Sequence, residues 1–195
     1  MKISFIFIVF TSLILLTGCI EYEQWTTIKS DSSGDMYIHY SMPLAADYDS
    51  SKISSFIYFN PDSLTRLIST DYTEVIKIQV YLMPDSSIHT SLGFKYNHLD
   101  SLNNLPLLKN AQISLKEGPD KTLIFSQYIN SLPLFPGLDV ENFKYKYTFH
   151  FPGKIIRHNA SSQNKNTLIW DFANNEVRKF QTLNVTYRPF KLKET

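Results

Sequence analysis

The sequence predicts an α+β domain, a curved antiparallel β-sheet of about six to eight strands flanked by two or three helices. Three observations carry the prediction. Many segments alternate apolar and polar side chains with period two, which sets one face of a strand on a core and the other in water. Clusters of Ser, Asp, Asn, Gly and Pro interrupt these segments at hairpin spacing. Two stretches instead repeat their apolar residues at three and four, the period of a helix with one buried stripe. No period of about 20–50 residues recurs, which excludes a solenoid or a propeller.

The elements follow in chain order. A short tether leads into a first strand around Tyr22–Ile28, and Lys29-Ser30-Asp31-Ser32-Ser33-Gly34 is a concentrated turn signal. Met36, Ile38, Tyr40 and Met42 then alternate with Tyr37, His39 and Ser41, so the two segments make a hairpin that Pro43 ends. Ile53, Phe56 and Ile57 share one face of a helix. Asn60-Pro61-Asp62 starts another, with Asn60 as N-cap, Pro61 at the first helical position and an acid in the first turn. Leu64, Leu67 and Ile68 are its buried side, and Ser69-Thr70-Asp71 closes it.

Strands dominate the remainder. Ile76, Ile78, Val80 and Leu82 alternate with Lys77, Gln79 and Tyr81; Ile88, Thr90, Leu92, Phe94 and Tyr96 alternate with His89, Ser91, Gly93 and Lys95. A short helix fits Asp100–Leu105, and Ile113 and Leu115 pair with Leu123 and Phe125 across Glu117-Gly118-Pro119-Asp120. Leu132–Pro136 is a Pro-rich loop with Gly137 as pivot. The most regular strand sets Phe143, Tyr145, Tyr147, Phe149 and Phe151 against Lys144, Lys146, Thr148 and His150, and Pro152-Gly153 ends or kinks it. Leu168, Trp170 and Phe172 mark a further strand, Asn174-Asn175 a turn, Glu176–Phe180 a helical turn, and Leu183, Val185 and Tyr187 a last strand.

The amino terminus follows different rules. Lys2 precedes an apolar run from Ile3 to Leu16, broken only by Ser4, Thr11 and Ser12, and Leu16-Thr17-Gly18-Cys19 closes it. As a helix the run would reach about 21 Å, short of the ~30 Å hydrocarbon core. A basic start, a short apolar run and a small-residue exit describe a signal peptide rather than a membrane span. The closing tetrapeptide has the pattern of a bacterial lipobox. A diacylglyceryl thioether forms on the Cys19 sulfur, and cleavage falls between Gly18 and Cys19. Residues 1–18 are then a signal peptide that is removed, and residues 19–195 are a single α+β domain with a short N-terminal tether. One acyl chain anchors marginally, whereas the two or three of a mature lipoprotein, palmitate among them, anchor stably. The expected location is the cell envelope, on a membrane outside the cytoplasm. Ile20 replaces the aspartate that retains some lipoproteins at the inner membrane, which favours an outer membrane where the cell has one.

Composition narrows the partners. The chain carries 19 Lys and Arg against 18 Asp and Glu, and the signal removes only Lys2, so the mature charge balances. Without a basic stripe it is no nucleic-acid binder. The single cysteine is consumed by lipidation, so no disulfide supports the fold. Stability must come from packing, for which 14 Phe, 12 Tyr and 2 Trp supply the area.

Trp25 followed by Lys29-Ser30-Asp31-Ser32-Ser33-Gly34, then Phe151-Pro152-Gly153-Lys154-Ile155-Ile156-Arg157-His158-Asn159-Ala160, then Asn166-Thr167-Leu168-Ile169-Trp170-Asp171-Phe172 stand in a telling order. Together they resemble bacterial envelope lipoproteins with an LppM-like domain. In that group a strand, a Gly-rich turn, a strand ending in Pro-Gly and a Trp-bearing strand succeed one another. Ser32 departs from the usual glycine, and no apolar segment after residue 180 matches the C-terminal membrane helix of some members. The resemblance implies an envelope lipoprotein whose sheet-and-helix domain holds lipid or glycolipid, and it carries over no catalytic residue. Gly34 and Gly153 are expected to supply positive φ or close backbone approach, Trp170 to fill the core, and the Pro152–Asn159 loop to pack structurally or to rim a pocket.

Catalytic chemistry finds no local motif. There is no Gly-x-Ser-x-Gly elbow, no His-Glu-x-x-His and no cysteine left for a zinc ribbon. Six glycines form no phosphate-cradling loop. His39, His89 and His150 lie on the polar sides of predicted strands, where a metal site would need matching register; scattered, solvated histidines are the simpler expectation, with His98 and His158 near loops. Asp139 with Glu141, or Asp171 with Glu176, would suit paired-carboxylate chemistry only if held about 5–9.5 Å apart in a cleft. The sequence therefore predicts a non-enzymatic, lipid-anchored protein without cofactor or metal. It binds an apolar or lipid-like ligand; a structural or interaction subunit of an envelope complex is the alternative, and an envelope hydrolase the third reading.

Overall fold

The computed structural model of the chain describes residues 20–44, 57–108, 111–129, 143–172 and 181–190. Among these residues seven strands form one sheet and four form another. The larger sheet contains β1 (Ile20–Ile28), β2 (Gly34–Pro43), β3 (Thr73–Leu82), β4 (Ser87–Tyr96), β7 (Phe143–His150), β9 (Ser162–Asn164) and β10 (Thr167–Phe172), in the order β3-β4-β2-β1-β7-β10-β9. The smaller sheet orders β5 (Ile113–Glu117), β6 (Leu123–Ile129), β11 (Gln181–Pro189) and β8 (Gly153–His158) as β5-β6-β11-β8. The one described α-helix is α1 (Pro61–Ile68), joined by short 3₁₀ turns such as Leu99–Asn104.

The predicted class survives in coarse form, strands with a helical cover, but the protein is mainly β. One curved antiparallel sheet becomes two open sheets, and the larger is mixed because β1 pairs with β7 in parallel. Alternation cannot reveal this, since period two is the same for both directions. The charge pattern does fit the parallel register. Glu21 lies opposite Lys144 and Glu23 opposite Lys146, with ion pairs of 3.5 and 3.7 Å. Exposed pairs of this kind add little stability, yet a one-residue slip would separate both and turn every apolar side chain outward.

Two of the hairpin turns are built by one repeated device. Asp31-Ser32-Ser33 and Asp85-Ser86-Ser87 each put the middle serine in left-handed backbone, at φ 66° and 62°. In each, the third serine donates its backbone N–H and its hydroxyl to the aspartate Oδ1. Each is also closed by the same pair of backbone bonds, Ser32 N–H to Lys29 O with Lys29 N–H to Ser33 O, and Ser86 N–H to Met83 O with Met83 N–H to Ser87 O. This is the three-residue hairpin in which a left-handed residue follows a tight turn. Serine tolerates that conformation here because the aspartate carboxylate organises the loop.

The core lies between the inner faces of the two sheets. Met36, Ile38, Tyr40, Leu92, Phe94, Tyr147, Phe149 and Trp170 are buried from the larger sheet, and Phe125, Leu183, Val185 and Tyr187 from the smaller. Phe125 joins the layers, with ring centroids 5.0 Å from Phe149 and 5.4 Å from Phe151. The chain crosses between the sheets at Pro152-Gly153, where β7 gives way to β8. Residues 153–158, predicted as a loop, are therefore a strand of the second sheet. Neither Gly34 nor Gly153 needs positive φ; both serve close approach. A Cβ on Gly153 would lie 2.3 Å from the Arg188 carbonyl oxygen, and one on Gly34 would lie 1.9 Å from that of Thr27.

Helix α1 keeps its sequence signature. Asn60 accepts a hydrogen bond from the Ser63 N–H at 2.8 Å, Pro61 opens the helix, and Leu64 and Ile68 are buried. The predicted 100–105 helix is the 3₁₀ turn Leu99–Asn104. Ile57 stands in a 3₁₀ turn, while Ile53 and Phe56 fall outside the described residues, as do Leu132–Pro136, Asn174-Asn175 and Glu176–Phe180. Ile76 departs from its predicted inward place because a bulge between Val75 and Lys77 shifts the register, leaving Ile76 44% exposed.

Candidate functional site

The outer face of the larger sheet gathers the polar halves of its strands. Because β4 lies between β2 and β3, His39 of β2 stands beside Ser91 of β4, and Ser41 stands beside His89. The imidazoles of His39 and His89 meet diagonally, Nε2 to Nδ1, at 3.3 Å. Tyr81 of β3 stacks on His89 with centroids 5.4 Å apart and rings 16° from parallel. The second nitrogen of each ring is held by a serine: His39 Nδ1 by Ser91 Oγ at 3.1 Å, and His89 Nε2 by Ser87 Oγ at 2.8 Å.

The proton arrangement around His89 follows from its neighbours. Ser87 donates its hydroxyl hydrogen to Asp85 Oδ1 at 2.6 Å, so its oxygen accepts the Nε2–H of His89. Those hydrogen bonds from Ser87 also hold the Asp85 carboxyl below its usual pKa. With Nε2 protonated, a neutral His89 turns a bare Nδ1 lone pair toward His39. Partial burial, and then the neighbouring His89, lower the pKa of His39; Glu23 and Glu21 oppose the shift and Lys77 adds to it. The His39 ring therefore favours the neutral state that ligates metals.

The other predicted residues do not join this pair. His150 lies on the same sheet but pairs in register with Thr27, near the opposite end, and bonds to Thr167 and Asn166. His158 belongs to β8 and accepts from the Ala160 N–H, and His98 is exposed before a 3₁₀ turn. Asp171 is exposed on β10, opposite Lys146 in register. Asp139, Glu141, Glu176, Gly18 and Cys19 lie outside the described residues. Among the described residues no group of three His, Cys, Asp or Glu side chains is placed to hold a metal ion.

Two open depressions lie on and beside the smaller sheet. One, of about 380 Å³, is lined by Arg157, His158 and Asn159 with Ile124, Asn184 and Thr186, so the 152–159 segment does border a hollow. The other, of about 470 Å³, lies among Asn103, Gln112, Ser114, Ser126, Tyr128 and Thr182. Trp170, predicted as a core filler, is buried and donates its indole N–H to Asn159 Oδ1 at 2.9 Å, tying the segment to the core.

A third feature is the end of the larger sheet where β1 begins. β1 starts at Ile20, two residues before its predicted start, which leaves no room for a tether between Cys19 and the sheet. Register places the β3–β4 hairpin at this same end: Glu21 pairs with Ser41, Ser41 with His89, and His89 with Tyr81. There Tyr81, Leu82 and Met83 are 40%, 50% and 43% exposed.

No protein-family model and no curated protein matches the sequence. Solved structures do match it. In fold the chain resembles LppM. Its similarity to the folded domain of LppM from Mycobacterium tuberculosis, determined by NMR, has a TM-score of 0.60 and covers 89% of this chain and 91% of that one, at 12% sequence identity. The turn, Pro-Gly and Trp segments that carry the sequence resemblance to LppM occupy structural positions: a hairpin turn, the crossing between sheets, and the core. Sequence reasoning missed the His39–His89 contact because it depends on β4 pairing with β2, which joins residues 50 apart in the chain. The available signal was weak: both histidines fall on the polar phase of regular alternations.

Proposed function

We propose that the protein is a lipid-anchored, non-enzymatic binding protein of the bacterial cell envelope, attached to a membrane through acylated Cys19 and acting on lipid or another apolar ligand at that surface. One observation carries the reading: the lipobox cysteine immediately precedes Ile20, the first residue of β1. Acyl chains on Cys19 would hold the end of the larger sheet against the bilayer with no linker between. The same end exposes Tyr81, Leu82 and Met83, side chains suited to the headgroup and acyl boundary. The fold likeness to LppM and the absence of local catalytic motifs support the same reading. An outer membrane is the favoured site because Ile20 lacks the retention aspartate.

The test is fractionation of cells carrying the wild-type chain or Cys19→Ser, followed by native mass spectrometry of the solubilised wild type. The reading expects the wild type in membranes with a non-covalent lipid retained, and the variant uncleaved or released. A wild-type chain that stays soluble would end it.

A second reading, an interaction subunit of an envelope complex, is favoured by β3. This strand of 10 residues is an edge of the larger sheet, with its own Val75 and Ile76 exposed. An exposed edge can add a partner's strand through main-chain hydrogen bonds. It predicts a partner that co-purifies in mild detergent.

A further inference from the structure

We infer that His39 and His89 form a two-nitrogen binding site for a late first-row divalent metal ion, of which zinc is the simplest probe. The site is independent of the lipid anchor. In a tetrahedral zinc site each nitrogen lies about 2.0–2.1 Å from the metal, which sets two ligand nitrogens about 3.3–3.4 Å apart. His39 Nε2 and His89 Nδ1 are 3.3 Å apart. The spacing thus matches one edge of the coordination shell.

The surroundings act as ligand supports do in metal sites. A metal-bound imidazole is oriented by a hydrogen bond from its other N–H. The Asp85–Ser87–His89 chain supplies this for His89 and fixes the tautomer with Nδ1 bare. For His39 the Ser91 hydroxyl, able to donate or accept, lets the ring carry its proton on Nδ1 and free Nε2. Tyr81, stacked on His89, limits its rotation. Glu21 and Glu23 on the neighbouring strand act on the His39 ring in the direction opposite to Lys77. Water completes the shell, since the described residues bring together two such ligands and not three. Neutral imidazoles suit zinc, copper and nickel rather than magnesium or calcium.

The experiment is a zinc titration of the full chain in detergent micelles, read by calorimetry and by long-range ¹H–¹⁵N spectra of the histidine rings. The expected result is one saturable site, with the rings of His39 and His89 shifting and those of His98, His150 and His158 unmoved. His39→Gln or His89→Gln should abolish the site, Ser87→Ala should weaken it about tenfold, and His150→Gln should leave it intact. Magnesium should give no saturation. Binding that persists in both glutamine variants, ring shifts spread over other histidines, or no saturable binding would each overturn the inference. The wild-type ring spectra decide the matter even where a variant folds poorly.

Discussion

At the scale of single residues, the outer-face histidines and the crossing glycine have consequences that are easy to measure. Partial burial, reinforced by His89, lowers the pKa of His39, so the folded state resists its protonation relative to the unfolded chain. Of the charged and titratable groups around it, Glu21 and Glu23 on β1 oppose the shift, while Lys77 and the adjoining His89 deepen it. The stability linked to His39 is therefore fully present above its unfolded pKa of about 6.5 and is lost as pH falls through the depressed folded value. Urea midpoints should fall between pH 8 and pH 5, and His39→Gln should flatten that slope; an unchanged slope would remove His39 as the cause. Gly153 makes a different prediction. Its missing Cβ leaves room for the Arg188 carbonyl, a backbone atom that cannot swing away. Gly153→Ala should cost about 1–3 kcal/mol in urea unfolding, as overpacking does; a neutral result would mean that β8 and β11 can separate freely.

At the scale of elements, alternation made most strands legible. The inner and outer sides of β2, β4, β7 and β10 fall as the sequence predicts, because one face of each meets a core and the other meets water. The N-cap at Asn60 was equally plain, since the chemistry is local. Strand β8 was hidden by Pro152-Gly153, which reads as a terminator and in fact turns the chain into the second sheet. The bulge at Val75–Lys77 was hidden because it breaks the phase of a strand whose composition gives no sign of it. Its result, an exposed Ile76 on an edge strand, carries a prediction. If β3 accepts a partner strand, Ile76→Lys should leave thermal stability within about 0.5 kcal/mol of wild type and eliminate the co-purifying partner. A partner retained by this variant would move the interface elsewhere.

At the scale of the whole molecule, the proposed anchor comes from the sequence alone and the candidate metal site from the structure alone. The signal and Cys19 are read from a contiguous run, whereas the His39–His89 contact needs β4 to pair with β2. The pairing of β1 with β7 joins segments more than a hundred residues apart, as Glu21 with Lys144, and no local pattern sets its direction. Ile20 and the His39–His89 pair lie toward one end of the larger sheet, where β1 begins and, across β2, the β3–β4 hairpin turns. We propose that this end is fixed to a membrane by lipid on Cys19. Mass spectrometry of the N-terminal peptide from membrane-isolated protein tests it most directly. The expected peptide begins at Cys19 and carries a diacylglyceryl group; an unmodified cysteine, or a chain that retains residues 1–18, would rule the anchor out.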